Sequence, residues 1–213
     1  MLDIFLTNLG KYNEGELCGL WVKLPATDEQ LKEAFKQAQI DGVRYEEYFI
    51  TDYECEIDGL TEYLGEYENI RELNFLAERL EDLKEYELEI YESALALQYP
   101  NDTKYLINLT YNLDKYYLIT EVYNHEDLGS HYADEELIEI PDNLKNYFDY
   151  ESYGRDIAID SNGCFTDNGY IEDTGDSFIE HYNGIEDLFD FESETENEVD
   201  MEQETTGQSM KMS

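Results

Sequence analysis

The sequence has little cysteine, proline, histidine or basic residue, and these shortages argue against several protein classes. Its three cysteines, Cys18, Cys55 and Cys164, are too few and too far apart for a disulfide scaffold. They fit free thiols in a reducing compartment. No apolar run approaches the ~18 residues of a membrane helix, and the first residues lack the basic stretch of a secretory signal. We therefore expect a cytoplasmic protein.

Catalytic and cofactor motifs are also missing. The sequence contains no G-x-S-x-G, no H-E-x-x-H and no glycine-rich loop followed by lysine. The pieces Asp160–Gly163 and Asp167–Gly169 resemble parts of a calcium loop but lack its oxygen spacing and final Glu, so hairpin turns are the preferred interpretation. His125 and His131 are six residues apart, which places them on different faces of a helix. The sequence predicts no enzyme, no metal and no cofactor.

Acidic residues are abundant instead. The chain has 53 Asp and Glu against 13 Lys and Arg, a net charge of -40 on 213 residues. Repulsion among so many charges of one sign opposes a compact state. The simplest explanation for the excess of acids is a partner with a strongly basic surface. The phosphates of nucleic acids and an anionic membrane would both repel this chain, so we expect neither as a partner.

The composition nevertheless predicts a folded body, because 41% of the residues are hydrophobic and 14% are aromatic. Periodicity and turn residues favour an α+β fold built from small units. The charge density described below favours an elongated row of three such domains. The predicted domains are an α+β domain over 1–60, a helical domain over 61–102 and an α+β domain over 103–187. A disordered acidic tail is predicted over 188–213, where apolar periodicity is lost.

Local patterns predict the secondary structure of the first half. Strands are expected over 2–8, 17–24 and 45–53, with turn residues at Gly10, Asn13 and Gly15. A helix follows Thr27, which has capping-box spacing to Gln30, and ends at Asp41-Gly42. Apolar spacing from Ile70 to Leu83, with Asn69 as cap, predicts a second helix. Another helical stretch extends to Pro100.

In the second half, residues 116–122 are expected to be a strand. Helices are predicted over 125–136 and 141–153, with Pro141 in a first helical turn. A terminal β-meander is predicted from 157–159, 164–166 and 169–172, punctuated by Asn-Gly pairs.

The negative charge is densest over 45–92, where 17 acids face only Arg71, Arg79 and Lys84. Like charges four residues apart destabilise a helix by a few tenths of a kcal/mol per pair. Five such pairs occur here: Glu62/Glu66, Glu68/Glu72, Glu78/Asp82, Glu81/Glu85 and Glu85/Glu89. We take as candidate partner-binding carboxylates Glu46, Glu47, Asp52, Glu54, Glu62, Glu66, Glu68, Glu72, Glu78, Glu81, Asp82, Glu85 and Glu89.

The amount of charge suggests a comparison with DNA. Residues 191–213 hold seven acids and one Lys, so -6 of the -40 lies there and -34 belongs to the rest. At one charge per ~1.7 Å of duplex, 34 charges match roughly 58 Å of B-DNA. A compact globule made of the roughly 190 residues that carry these 34 charges would be only about 42 Å across. The charge would therefore reach DNA density only on a more elongated body. Salt adaptation and other acidic scaffolds are the alternatives.

Two long runs in the sequence resemble the ArdA antirestriction proteins. The first is N-L-G-K-Y-N-E-G at residues 8–15, within Ile4–Leu17 and followed by Gly19 and Trp21. The second is Y-F-D-Y-x-x-Y-G-R-D at 147–156, preceded by Glu139-Ile140-Pro141 and Leu144. Glu46-Glu47-Tyr48 and Ile70–Asn74 fall between them in family order. The resemblance spans roughly residues 3–175 and leaves out the acidic tail.

The resemblance implies a DNA mimic from a mobile genetic element that inhibits type I restriction-modification enzymes by occupying their DNA groove. It also implies pairing into a homodimer through the C-terminal domain and a methyltransferase core as the partner. The motif residues it marks for packing or the dimer interface are Pro141, Leu144, Tyr147, Phe148, Asp149, Tyr150, Tyr153, Gly154, Arg155 and Asp156. Arg155 is expected to pair with an acid or to cap backbone, and Gly154 is expected in a turn. The alternative function is an acidic module that sequesters another basic DNA-binding protein, and the third is an enzyme of a salt-adapted cell.

Overall fold

A computed structural model describes residues 2–135, 140–141 and 143–188 of the chain. It divides into two units, residues 1–179 and 180–213. The first contains two three-stranded antiparallel sheets and seven α-helices within the described residues. In the described part of the second, Tyr182 and Leu188 are buried, and the Asn183 amide donates to the Asp187 carboxylate.

The first sheet has β1 (Leu2–Asn8) at its centre, between β2 (Gly19–Leu24) and β3 (Tyr48–Cys55). Leu2, Ile4 and Leu6 alternate along β1 and are fully buried, so one face of the sheet forms a core. Helix α1 (Leu9–Asn13) continues directly from β1, with the Asn8 side chain accepting from Lys11 N. The register with β3 shifts between Ile4 and Leu6.

Helix α2 (Asp28–Gln37) covers the buried face of this sheet. It begins at a capping box, in which Gln30 N donates to Thr27 Oγ1 and Thr27 N donates to Gln30 Oε1. Leu31 and Ala34 of α2 join the sheet residues in one core, together with residues of helix α3 (Ile70–Glu81). The segments are also joined by a 2.7 Å hydrogen bond from Ala26 N to Asn74 Oδ1.

A helical region connects the two sheets. After α3, whose N-cap is Asn69, come α4 (Glu85–Gln98) and α5 (Thr103–Leu109), with a short 3-10 helix at Leu60–Tyr63 before them. Helix α4 is anchored to the second sheet, because Ser93 Oγ bonds Thr166 Oγ1 at 3.1 Å and Gln98 Nε2 donates to Asp173.

The second sheet has the order β4 (Tyr116–Ile119), β6 (Gly169–Asp173), β5 (Gly163–Thr166). Strands β5 and β6 form a hairpin across Asp167-Asn168. Helices α6 (His125–Glu135) and α7 (Tyr150–Asp160) lie against each other. A further 3-10 helix at Lys145–Tyr147 lies between them in the chain. A core of Ile119, Val122, Leu128 and Tyr170 lies beneath them.

The α+β class and most predicted elements are confirmed. The strands at 2–8, 164–166 and 169–172 lie where the sequence predicts them. The helices capped by Thr27 and Asn69 begin as predicted and end earlier than expected, at Gln37 and Glu81. The third strand begins three residues later than expected, at Tyr48, because Asp41 folds the preceding residues into a turn by accepting three backbone N–H groups. The strand expected over 116–122 ends at Ile119, before Glu121 at a positive φ of 63°.

Several predictions are wrong. The expected helix over 141–153 does not form as one element, because among the described residues a 3-10 helix covers Lys145–Tyr147 and α7 begins only at Tyr150, where Asp149 supplies the cap. Residues 157–159 belong to α7 and not to a strand. Gly10 and Asn13 lie in α1 and not in a turn. Helix α5 was not predicted.

The three-domain division stays a prediction. Ile70 and Leu73 lie beyond the predicted boundary at 60 and 61, yet they share the core of the first sheet. Most of the predicted tail, from residue 189 onward, falls outside the described residues, as does residue 136 at the end of the predicted 125–136 helix. Across the part of the chain that the structure describes, none of the helices has the length and apolarity that crossing a membrane requires.

Candidate functional site

The thirteen candidate carboxylates follow one another along β3, the 3-10 helix, α3 and α4. Asp52 and Glu54 are on β3, an edge strand of its sheet, and Glu46 and Glu47 precede it. Ten of the thirteen side chains are exposed, and Glu68, Glu72 and Glu89 are half-buried. The residues predicted as a partner-binding set are therefore available to solvent.

The predicted repulsion along helices is largely absent. Of the five pairs spaced by four residues, only Glu85 and Glu89 lie within one α-helix. Glu66 and Glu68 lie in the connection before α3, and Glu81 and Glu85 lie on opposite sides of the break between α3 and α4. Asp82 is the C-cap of α3 and keeps helical spacing to Glu78, because its N–H donates to the Glu78 carbonyl oxygen at 3.2 Å. The other three pairs are interrupted by helix ends and turns, where like charges do not stack along one helical face.

Five of these carboxylates have no partner within the part of the chain that the structure describes. The side chains of Glu46, Glu47, Glu54, Glu81 and Glu85 accept no hydrogen bond and form no ion pair among the described residues. Carboxylates that a fold uses for its own stability are usually hydrogen-bonded or ion-paired. These five remain free to meet cations from outside.

Other candidate carboxylates are already bonded within the fold. Glu68 accepts from Thr103 Oγ1 at 2.6 Å and from Gly65 N at 3.0 Å. Glu78 accepts from the Asn74 amide at 2.9 Å. Each of these bonds fixes the position of a carboxylate that sequence reasoning could identify only as acidic.

One cation of the acidic stretch is held against its neighbours. The Arg79 guanidinium lies 4.1 Å from the centre of the Tyr111 ring, and its Nε donates to Thr110 Oγ1 at 3.3 Å. It approaches Asp82 only to 3.9 Å. Its charge is therefore partly engaged by an aromatic face and a hydroxyl group.

A second group of acids, which the sequence did not mark, organises the loop around Tyr45. Glu14 accepts from Tyr45 Oη at 2.9 Å and from Arg44 at 3.3 Å, and the Tyr45 hydrogen bond is the main reason that the pKa of Glu14 is lowered. Backbone N–H groups of Tyr45, Val43 and Arg44 likewise lower the pKa of Asp41. These acids act structurally, and Asp41 followed by glycine is the one sequence signal that could have indicated it.

The aromatic motif residues form a cluster around Phe148. Its ring lies 4.8 Å from that of Tyr150 and 5.7 Å from that of Tyr153, both edge-on. Tyr147, in contrast, is 84% exposed, and Leu144 is 49% exposed. The helical spacing expected for the four aromatics is not realised as one helix, because a break at Phe148-Asp149 separates Tyr147 from α7.

Asp149 caps helix α7. Its carboxylate accepts from Ser152 N at 3.0 Å and from Ser152 Oγ at 2.7 Å, and the backbone bond is the main cause that lowers the pKa of Asp149. Arg155 donates to the same Ser152 Oγ at 3.0 Å, so it reaches the cap through a hydroxyl group. Asp156, one residue further along, is exposed on α7.

Gly154 allows α7 to touch α6. A Cβ atom on Gly154 would lie 1.8 Å from the His125 carbonyl oxygen, and one on Gly129 would lie 2.0 Å from the Tyr150 carbonyl oxygen. The expected turn at Gly154 is therefore wrong, since the residue is buried in the middle of α7. Its small size permits backbone-to-backbone contact of two helices.

The cysteines, His125 and the calcium-like pieces each have a place in the fold of the described residues. The described residues contain no group of three potential ligands arranged to hold a metal ion. The calcium-like pieces form the end of α7 and the β5–β6 turn. Cys18, Cys55 and Cys164 are free, and burial raises the pKa of the Cys55 and Cys164 thiols, which keeps them protonated. The ring of His125 packs edge-on against Phe165 at 5.2 Å.

A comparison of the chain with curated proteins finds no match. A family profile described as antirestriction protein (ArdA) matches residues 4–172. The matched span contains the acidic stretch, the aromatic cluster and the α6–α7 contact, which is most of the described structure. The chain belongs to the ArdA family of antirestriction proteins.

Proposed function

We propose that the protein is a DNA mimic that inhibits type I restriction-modification enzymes by occupying the DNA groove of their methyltransferase core. The observation that carries the proposal is the set of exposed carboxylates over 46–89, several of them without partners among the described residues. They stand in for phosphates, and they meet the Lys and Arg side chains that would otherwise contact DNA.

The proposal explains why so much charge is held on folded elements. Anions at fixed positions present a field before contact, and complementary fields raise association rates from ~10⁵–10⁶ to as much as ~10⁸–10⁹ M⁻¹s⁻¹ at low salt. Because the affinity for the enzyme is spread over many exposed carboxylates, removal of one of them should change that affinity little. The function requires neither catalysis nor a cofactor.

The direct test is inhibition of a purified type I enzyme. The protein is added at increasing concentration, and DNA cleavage and DNA methylation are measured in parallel at fixed ionic strength. We expect both activities to fall, with inhibition relieved by added duplex DNA that carries the recognition sequence. Inhibition that excess DNA leaves unchanged would contradict occupation of the DNA groove.

We also propose that the protein acts as a homodimer with an elongated body, in the cytoplasm of a cell that carries it on a mobile element. The exposed Leu144 and Tyr147 support an interface near the motif. Small-angle X-ray scattering at several concentrations tests this point. We expect twice the chain mass and a maximum dimension well above that of a globule, whereas a round monomer would contradict it.

The second candidate is an acidic module that sequesters another basic DNA-binding protein, because the same carboxylates complement any basic surface. Affinity capture from a host extract, with mass spectrometry of the recovered proteins, separates the two. Methyltransferase subunits are expected for the first function. Recovery of a nucleoid protein or a repressor alone would favour the second.

A further inference from the structure

A cleft of about 350 Å³ opens beside helix α4, within the first unit. It is bounded by the 3-10 helix Leu60–Tyr63, by α4 and by the β5–β6 turn. We call it the α4 cleft. Its apolar lining includes Tyr63, Leu95, Ala96 and Phe165. Its size lies at the lower end of the ~300–1,000 Å³ range of ligand pockets, so it has room for one long side chain.

Four acidic residues also line the cleft: Asp58, Glu62, Glu92 and Asp167. Of these, only Glu62 belongs to the set that the sequence marked for partner binding. Among the residues that the structure describes, no Lys or Arg lines the cleft. Low-dielectric walls strengthen a field of one sign, so the cleft attracts cations more strongly than a flat surface with the same charges.

Hydrogen bonds fix the walls of the α4 cleft in place. The Glu92 carboxylate accepts from Asp58 N at 3.2 Å and from Asn168 Nδ2 at 3.0 Å, which joins α4 to both neighbouring walls. Tyr63 Oη donates to the Leu95 carbonyl oxygen at 3.0 Å. The Phe165 ring is held by His125 and Tyr170, at 5.2 and 4.7 Å between ring centres. A ligand therefore enters a site that is already formed, and little ordering opposes binding.

Apolar and aromatic walls together with several carboxylates match the chemistry of arginine. The guanidinium group is weakly hydrated, stacks on aromatic rings and binds carboxylates through two parallel hydrogen bonds. Lysine carries a more strongly hydrated point charge and gains less from an aromatic wall. Arginine is also among the residues most enriched at the energetic centres of protein interfaces, where pockets exclude water.

We propose that the α4 cleft receives one arginine side chain from the surface of the protein partner, and that this contact is the anchor of the complex. The proposal rests on the proposed function for the identity of the partner. It also makes one part of the acidic surface different from the rest: exposed carboxylates contribute collectively, and those of the cleft contribute individually.

The first experiment tests the cleft without the partner. The amide resonances of the full chain are followed by NMR during titration with N-acetyl-arginine amide, with the neutral isostere N-acetyl-citrulline amide and with spermidine. We expect the arginine compound to shift the amides of Ser93, Ala96, Thr166 and Asn168 saturably, and the citrulline compound to shift them at least fivefold less. Spermidine is expected to cause weak changes spread over the acidic surface.

Two charge-matched variants sharpen the test. The double substitution Glu62→Gln with Asp167→Asn removes two charges from the cleft, and Glu81→Gln with Glu85→Gln removes two charges from the exposed surface. Both variants make the net charge less negative by two. We expect the first variant to weaken arginine-amide binding at least fivefold and the second to leave it unchanged. We expect the affinity for a type I methyltransferase core to fall at least tenfold in the cleft variant and less than threefold in the surface variant.

Several outcomes would overturn the proposal. Shifts that are equally large outside the cleft, or that survive Glu62→Gln with Asp167→Asn, would show that the cleft is not the site. Saturation of the cleft amides by spermidine but not by the arginine compound would assign it to a polyamine. If the NMR result holds and no methyltransferase core binds either variant or the wild-type chain, the proposed function fails while the arginine site stands.

Discussion

The acids over 46–89 and the acid of the motif at Asp149 have the same chemistry and opposite surroundings. Glu46, Glu47 and Glu85 are exposed and have no partner among the described residues, whereas Asp149 accepts two hydrogen bonds from Ser152 and caps α7. The difference teaches that acidity alone does not mark a partner-binding residue. The fold separates carboxylates that it bonds internally from carboxylates that stay exposed and without a partner among the described residues.

The same contrast extends to how mutations should act. The motif region depends on close packing, with the backbones of α6 and α7 in contact at Gly129 and Gly154. Under the proposed function, the acidic stretch acts through a field produced by many groups. Changes in the first region should therefore alter stability sharply, and changes in the second should alter binding gradually.

The largest expected effect comes from Gly154→Ala. The added Cβ would lie 1.8 Å from the His125 carbonyl oxygen, and backbone cannot move aside as a side chain can. Overpacking of this kind typically costs 1–3 kcal/mol and occasionally more, so we expect a loss of about 3 kcal/mol in the free energy of unfolding. Urea denaturation of the full chain measures it.

Gly42→Ala is the matched control, because Gly42 has a φ of +67° and open space around its Cβ position. Only backbone strain of about 1–2 kcal/mol is expected there. Equal losses for the two alanine variants would contradict the proposed role of the α6–α7 contact.

A smaller effect, on binding, is expected from neutralising the acidic stretch. The fourfold variant Glu46→Gln, Glu47→Gln, Glu81→Gln and Glu85→Gln removes four charges that have no partner among the described residues. We expect the affinity for a type I methyltransferase core to fall about tenfold, mainly through slower association, and each single substitution to change it less than about twofold. Stopped-flow association kinetics at fixed ionic strength separates the two rates. One single substitution with the whole effect would show a localised site on this surface.

Asp149→Ala should lower stability moderately, because α7 loses its N-cap. We expect the melting temperature to fall by about 2–4 °C at pH 7. The folded pKa of Asp149 is lowered, so its stabilisation is fully present above the ordinary Asp pKa of about 3.9 and is lost as the pH falls through the folded value. Thermal denaturation at pH 7 and pH 2 tests this sign. Asp149→Asn, which retains the capping oxygen, is the control and should lose less at pH 7.

The smallest effect is expected from Glu89→Gln. Glu85 and Glu89 are the one pair of the five that repels within a single helix, and the relief should stabilise the chain by about 0.2–0.5 kcal/mol. A double-mutant cycle with Glu85→Gln measures the coupling. A coupling of the same size between Glu81 and Glu85, which lie on different helices, would contradict this explanation.

The sequence predicted best those features that local chemistry decides. Thr27 with Gln30 and Asn69 before Ile70 cap their helices as expected, and alternation along 2–8 gives a central strand. The motif region was mispredicted because its apolar residues are spaced like one helix, whereas Asp149 starts a new helix by bonding Ser152. Sequence pattern cannot show that Gly154 is required by the backbone of α6, since that contact is between distant segments.

The candidate site divides in the same way. The density of acids over 45–92 is visible in the sequence, and the structure leaves 12 of these 17 acids exposed. Which carboxylates are bonded inside the fold depends on residues that are distant in the sequence. Glu68, for example, accepts a hydrogen bond from Thr103. The α4 cleft depends on Asp167 of a distant hairpin turn being near Glu62 and Glu92, so no local pattern could have indicated it.

The most direct test of the central claim is an equilibrium titration of a purified type I methyltransferase core with the protein, in the presence of labelled duplex DNA, at salt concentrations from 50 to about 300 mM. If the exposed carboxylates replace phosphates, the protein displaces the duplex completely, no ternary complex forms, and its affinity falls steeply as salt rises. A stable complex of enzyme, duplex and protein, or an affinity that does not change with salt, would contradict the account.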